Sequence, residues 1–188
     1  MSRIDVCGTR ASHIREKTMD VTLEPLQPQD TDAFAAEMQE AFQLAVDAAS
    51  DDEPLPVLPR QDIDESLANP GAVALVATCE GRRVGGTVLF LDEETHEHEC
   101  ALLYVRADAH GRGIGAALWK AIEKRYPDAV AWTLCTPYFE VRNIHFYLSK
   151  CGFHIIDLVK DPETGPADAS GKGSLMFSFV KRLDGRWE

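Results

Sequence analysis

The six residues His110-Gly111-Arg112-Gly113-Ile114-Gly115 constrain this chain more than any other stretch. They lie between an apolar run that ends at Val105 and a segment in which Ile114, Ala117, Leu118, Ala121 and Ile122 recur at helical spacing, so the local order is strand, turn, helix. Such a turn leaves the first amides of the helix without partners, at the positive end of its dipole, and that is a place for phosphate. Glycines at 111, 113 and 115 let the main chain approach an anion, no acidic residue lies between Ala109 and Leu118, and Arg112 and His110 add donors. The spacing matches neither a Walker loop nor a dinucleotide fingerprint, which needs an acidic residue about 20 positions on at a strand end. Glu123 is nearer and lies mid-helix, so ATP and NAD sites are disfavoured.

The flanking sequence supplies the elements around this turn. Residues 21–26 read as a first strand, and behind Asp30 as an N-cap the residues Phe34, Met38, Ala41, Phe42 and Ala45 mark an amphipathic helix. Residues 50–60, with Pro54, Pro56 and Pro59, read as a loop, followed by a short helix over 62–67. Residues 72–79 and 84–91 form an antiparallel hairpin around Gly81, and 99–105 is the strand that enters the glycine turn. A further strand over 130–135 stops at Thr136-Pro137, after which Ile144, Tyr147, Leu148 and Cys151 share a helical face that Gly152 ends. Two closing strands, 153–159 and 175–180, flank a Gly/Pro/Asp-rich loop over 161–173. The expectation is a poorly ordered leader over 1–19 and one α/β domain over 20–188.

Charge and composition narrow the partners. A formal net charge of −12 argues against nucleic acid, which needs a concentrated positive surface, and suits a cationic or amine-bearing substrate. No run approaches the ~18 apolar residues of a membrane span, and the N-terminus lacks an apolar signal core, so the reading is a cytoplasmic protein without a membrane partner. Five cysteines, Cys7, Cys79, Cys100, Cys135 and Cys151, are odd in number and widely spaced, which suits reduced, buried thiols. No CxxC pair suggests zinc. His96 and His98 could suggest a metal pair, but the segment around them reads more simply as a polar hairpin loop, so no metal is expected.

Leu103-Tyr104-Val105, the loop from His110 through Ala116, Asn143, Phe146-Tyr147 and Gly152-Phe153 together resemble the GNAT superfamily of N-acetyltransferases. The resemblance implies a central mixed, mostly antiparallel sheet of six or seven strands flanked by four helices. It implies that acetyl-CoA is the co-substrate, that main-chain amides of Gly111, Arg112, Gly113, Ile114, Gly115 and Ala116 bind its pyrophosphate, and that Leu103, Tyr104 and Val105 pair with the pantetheine arm. His110 stands where the superfamily carries Arg or Gln and can still donate to phosphate. Glu140 occupies the place of the motif Asn, seven residues before Tyr147, and Asn143 is assigned to the cofactor instead. The run from Thr136 to Tyr147 resembles a bacterial branch of the superfamily and names no acceptor.

Amide formation from a thioester needs a neutral amine, a stabilised oxyanion and a proton for the departing thiolate. By resemblance, Tyr147 gives that proton and Glu99 deprotonates the amine, directly or through water. His98 is a rival base, since an ordinary imidazole titrates near the working pH. The oxyanion is assigned to a backbone N–H at the strand end, that of Val105. Trp119, Trp132 and Tyr126 read as packing, and substrate choice is assigned to the loops 50–60 and 161–173. The leading expectation is acetyl transfer to a primary amine, on a small molecule or a protein, by direct attack in a ternary complex. The alternative is a non-catalytic acyl-CoA-binding module, and a homodimer is expected by resemblance alone.

Overall fold

A computed structural model of the chain describes residues 19–47, 58–160 and 175–185. The expected leader, apart from Met19, most of the loop 50–60 and the loop 161–173 lie outside the described residues. In chain order the elements are β1 (Val21–Pro25), α1 (Thr31–Asp47), α2 (Arg60–Ala68), β2 (Ala72–Cys79), β3 (Arg82–Phe90), β4 (Glu97–Val105), α3 (Ile114–Arg125), β5 (Ala131–Pro137), α4 (Val141–Phe146), β6 (His154–Lys160) and β7 (Leu175–Arg182). The strands form one seven-stranded sheet in the order β1-β2-β3-β4-β5-β7-β6. Every neighbouring pair is antiparallel except β4 and β5. This is the mixed, mostly antiparallel sheet with four helices that the sequence led us to expect.

Local chemistry explains most boundaries. Glu80 and Gly81 both take positive φ, 51° and 75°, and make the two-residue turn whose twist matches that of β2 and β3. Asp30 lies in a single 3-10 turn leading into α1, and its carboxylate faces Arg83 at 3.4 Å. Pro137 is the last residue of β5 rather than lying beyond it, and pairs with Met176.

Apolar clusters cover both sheet faces. On one, Phe34, Met38 and Ile63 from α1 and α2 are wholly buried against Val76, Val88 and Tyr104. Each such side chain contributes about 1.5–3 kcal/mol by leaving water. On the other, Leu118, Trp119 and Ile122 of α3 pack with Trp132, Phe153 and Phe179, the Trp119 and Trp132 rings meeting edge to face at 5.5 Å. The two tryptophans are thus core, as expected. Cys79, Cys100 and Cys151 are buried and free, whereas Cys135 is exposed beside Ser178.

Candidate active site

The parallel pairing of β4 with β5 covers only Glu97, His98 and Glu99 against Ala131, Trp132 and Thr133. At this point β4 carries a bulge opposite Val88 and Leu89, where the register skips Ala101. Beyond it the ladder to β5 ends while β4 stays paired with β3 as far as Val105. Arg106 donates its N–H to the Val84 carbonyl at 2.9 Å, so by antiparallel alternation the peptide groups of Tyr104 face β3 and those of Leu103 and Val105 face the opening. The expectation that Tyr104 offers main chain to a ligand is corrected on this point, although the residue does line the cleft. Its side chain turns to the other face, where burial raises its hydroxyl above the usual phenol range and it donates to Glu37 of α1 at 2.9 Å.

The opening runs into a cleft of about 720 Å³ lined by Leu103, Tyr104, Val105, residues 109–117, Lys120, Arg142, Asn143, Phe146, Tyr147, Ser149 and Lys150, with Ala41 and Phe42 from α1 and Met19 from the segment before β1. Gly113 is the N-cap of α3, and among the described residues no side chain caps it. Gly111 and Gly113 both have φ of +76° with open space where a Cβ would be, so backbone conformation rather than crowding calls for glycine there. Gly115 differs, since a Cβ would stand 3.1 Å from the Phe146 ring; its smallness seats α4 against α3.

The opposite wall is α4 and its continuation. The predicted helix changes at Tyr147 into a π-helical turn over Tyr147–Cys151, which Gly152 closes at φ +79° as the expected C′ residue. Tyr147 is buried among Phe146, Phe153 and Phe179, and burial raises its hydroxyl well above the usual phenol range, so it holds its proton at neutral pH. Asn143 donates its amide to Glu140, a buried carboxyl pushed up to about 7 by burial. His110 lines the cleft, but Nε2 meets the Val105 carbonyl at 2.8 Å and Nδ1 meets Arg142 at 3.2 Å. Both ring nitrogens are therefore engaged, leaving no free N–H of the kind expected for phosphate.

The candidate bases lie outside the cleft lining, on opposite faces of β4. His98 is buried, stacks edge-on with Trp132 at 5.0 Å and Tyr126 at 6.0 Å, and accepts the Asp92 N–H at Nδ1. Burial lowers its pKa. The imidazole thus packs within the aromatic core and does not line the cleft. Glu99 is exposed, sits where β4 begins to part from β5, and has its carboxyl raised by desolvation from neighbouring atoms.

Every expected cofactor residue, from Leu103 to Ala116 in its named positions and Asn143, therefore meets Tyr147 in one cleft. Sequence reasoning missed Lys120, Arg142 and Lys150 on its walls. The signal for Arg142 was available, since it immediately precedes Asn143 in the first turn of α4.

Comparison with known proteins agrees with this geometry. The sequence model of the acetyltransferase (GNAT) family matches residues 33–153. The chain is 42% identical over 147 residues to the uncharacterized protein YrkN of Bacillus subtilis (strain 168), which is 78% of this chain and 80% of that protein. Its fold resembles spermidine N-acetyltransferase from Vibrio cholerae, solved with CoA and spermine, at TM-score 0.64 and 12% identity over 87% of this chain and 95% of that one. It also resembles a GNAT family acetyltransferase from Elizabethkingia anophelis with acetyl-CoA bound, at TM-score 0.60 and 19% identity over 87% and 99%. With the parted strands, the uncapped helix and the matched sequence together, the chain belongs to the acetyltransferase (GNAT) family and is an acyltransferase of that type.

Proposed function

We propose that the protein transfers the acetyl group of acetyl-CoA to a primary amine by direct attack in a ternary complex. The observation that carries this reading is the break in the sheet, where Leu103 presents its peptide groups and Val105 its N–H to an opening that leads to the N-terminus of α3, which no described side chain caps. A pantetheine arm adds to such an edge as a strand would, and its diphosphate meets the α3 amides. The solved relatives that hold CoA or acetyl-CoA support the choice of cofactor.

In the reaction the amine nitrogen attacks the thioester carbonyl carbon, and the C–S bond breaks as the amide forms. Glu99 takes the proton lost by the amine, and its raised carboxyl is a better base near neutral pH than an ordinary glutamate. The Val105 N–H faces the developing oxyanion, and Tyr147 returns a proton to the departing thiolate. Cys100 and Cys151 are pushed up to about 12 by burial, so neither is the thiolate that an acyl-enzyme route would require.

Titration calorimetry with acetyl-CoA followed by a thiol-release assay over a panel of polyamines, amino acids and peptide amines tests the proposal. Binding and amine-dependent release of CoA support it. No binding at millimolar acetyl-CoA removes it.

A further inference from the structure

We propose that Arg142 is a second, side-chain arm of the diphosphate grip and that His110 is the residue that positions it. This rests on the acetyl-CoA reading given above. The α3 amides approach an anion from one wall of the cleft, while Arg142 belongs to α4 on the other.

The hydrogen bonds fix how the imidazole works. A guanidinium has only N–H donors, so the contact of Arg142 Nη2 with His110 Nδ1 at 3.2 Å makes Nδ1 the acceptor. Nε2 then carries the ring proton and donates it to the Val105 carbonyl at 2.8 Å. The ring is a strut between the end of β4 and the guanidinium, neutral and saturated at both nitrogens. It brings Arg142 to the glycine loop without adding charge of its own.

The charge pattern makes this placement unusual for the chain. Acidic residues outnumber Lys and Arg by 31 to 19, and Arg60, Arg82, Arg83, Arg106 and Arg182 each face a carboxylate. Among the described residues Arg142, like Arg112 in the same cleft and Arg125 at the end of α3, has no carboxylate partner; the group it meets is the His110 imidazole. Arg112, Lys120 and Lys150 line the same cleft, and among the described residues no Asp or Glu does. A planar guanidinium with donors left over, held opposite a cluster of main-chain N–H groups, suits two linked phosphates better than one. A merely structural bond that pins α4 to the loop would need no such excess of positive charge.

The test uses the full chain with CoA and with a diphosphate-free donor, S-acetylpantetheine. Arg142→Ala is expected to weaken CoA about tenfold, the loss of one charge-assisted contact, and to leave kcat/KM for S-acetylpantetheine unchanged. His110→Ala is expected to weaken CoA by a smaller factor, and the double variant to bind as Arg142→Ala does, because the imidazole acts through the arginine. Arg142→Lys should recover only part of the affinity. Equal losses with both donors would make Arg142 structural and overturn the proposal, as would CoA affinity unchanged in Arg142→Ala, or a double variant whose losses simply add. If the unaltered chain fails to bind CoA at all, the acetyl-CoA reading falls first and takes this inference with it.

Discussion

The two halves of β4 belong to one strand and both pair with β3, on either side of a bulge, yet they do opposite work. From Glu97 to Glu99 the strand is zipped to β5, and its inward side chain, His98, is locked between aromatic rings. From Leu102 to Val105 the ladder to β5 is gone, and what the strand offers is main chain. The bulge at Ala101 separates the two regimes. In the closed half His98 is architecture and Glu99, on the opposite face, is the proposed base, whereas residues with bland side chains in the open half line the candidate site.

The hardest way to break this division is to remove the proposed acid on the wall of the cleft that the open half faces. Tyr147→Phe is expected to lower kcat in the thiol-release assay about 1000-fold, within the range of a lost general acid. The Phe ring keeps the contacts to Phe153 and Phe179, so the melting temperature and acetyl-CoA affinity stay as they are. A variant with undiminished kcat would show that the open half holds no acid at this position.

The next largest effect sets the faces of the closed half against each other. Glu99→Gln is expected to cost about 100-fold in kcat/KM for the amine at neutral pH. His98→Gln should keep kcat within about threefold but lower stability by about 1–2 kcal/mol, because it disturbs a buried polar group held by the Asp92 N–H. Burial lowers the His98 pKa, so the unfolded chain binds that proton first and the native state loses stability as pH falls through the ordinary imidazole value of 6.5. His98→Gln should abolish that loss. Exchange of the two outcomes would return the base to the aromatic core.

Within the open half, glycines that look alike in sequence should separate into binding and chemistry. Gly113→Ala places a Cβ at φ +76°, costs roughly 1 kcal/mol of strain and moves the cap, so acetyl-CoA affinity is expected to fall about tenfold with kcat retained. Gly115→Ala presses instead on Phe146, which adjoins Tyr147, and is expected to lower kcat by several-fold with affinity nearly intact. Calorimetry and turnover measured on the same variants give the split.

Much of this was legible in the sequence, and the reason is local. The strand, glycine turn and helix around residues 103–118 were readable because Gly111, Gly113 and the helical spacing of Ile114, Ala117 and Leu118 are short-range signals. The sheet was readable for the same reason, turn by turn. What pattern could not convey was where β4 and β5 part, because that depends on a bulge and on pairing between residues more than thirty positions apart, as His98 with Trp132. The fates of His98 and His110 were hidden likewise, since an imidazole looks the same in sequence whether it faces Trp132, Arg142 or a substrate. The π-helical turn at Tyr147 left no mark beyond an ordinary helical face.

Glu140 gives the smallest expected effect on turnover and the finest test of the open half. Its carboxyl is buried, is pushed up to about 7 from an ordinary 4.5, and has the Asn143 amide as its hydrogen-bond partner. A folded-state pKa raised in this way means that the native chain holds the proton longer than the unfolded one. The stability this contributes is complete below pH 4.5 and is lost as pH rises through about 7. Glu140→Gln keeps the shape, stays neutral and still accepts from Asn143, so it should remove the slope. Its melting temperature should match that of the parent at pH 4.5 and exceed it by several degrees at pH 8, since a rise from 4.5 to about 7 is worth about 3 kcal/mol. Turnover should change by less than about threefold, because Glu140 does not itself line the cleft and its hydrogen-bond partner there is Asn143. Parallel stability curves for the two proteins would mean that Glu140 is already ionised in the folded state, and the wall of the cleft at Asn143 would then carry a negative charge that a diphosphate ligand must meet.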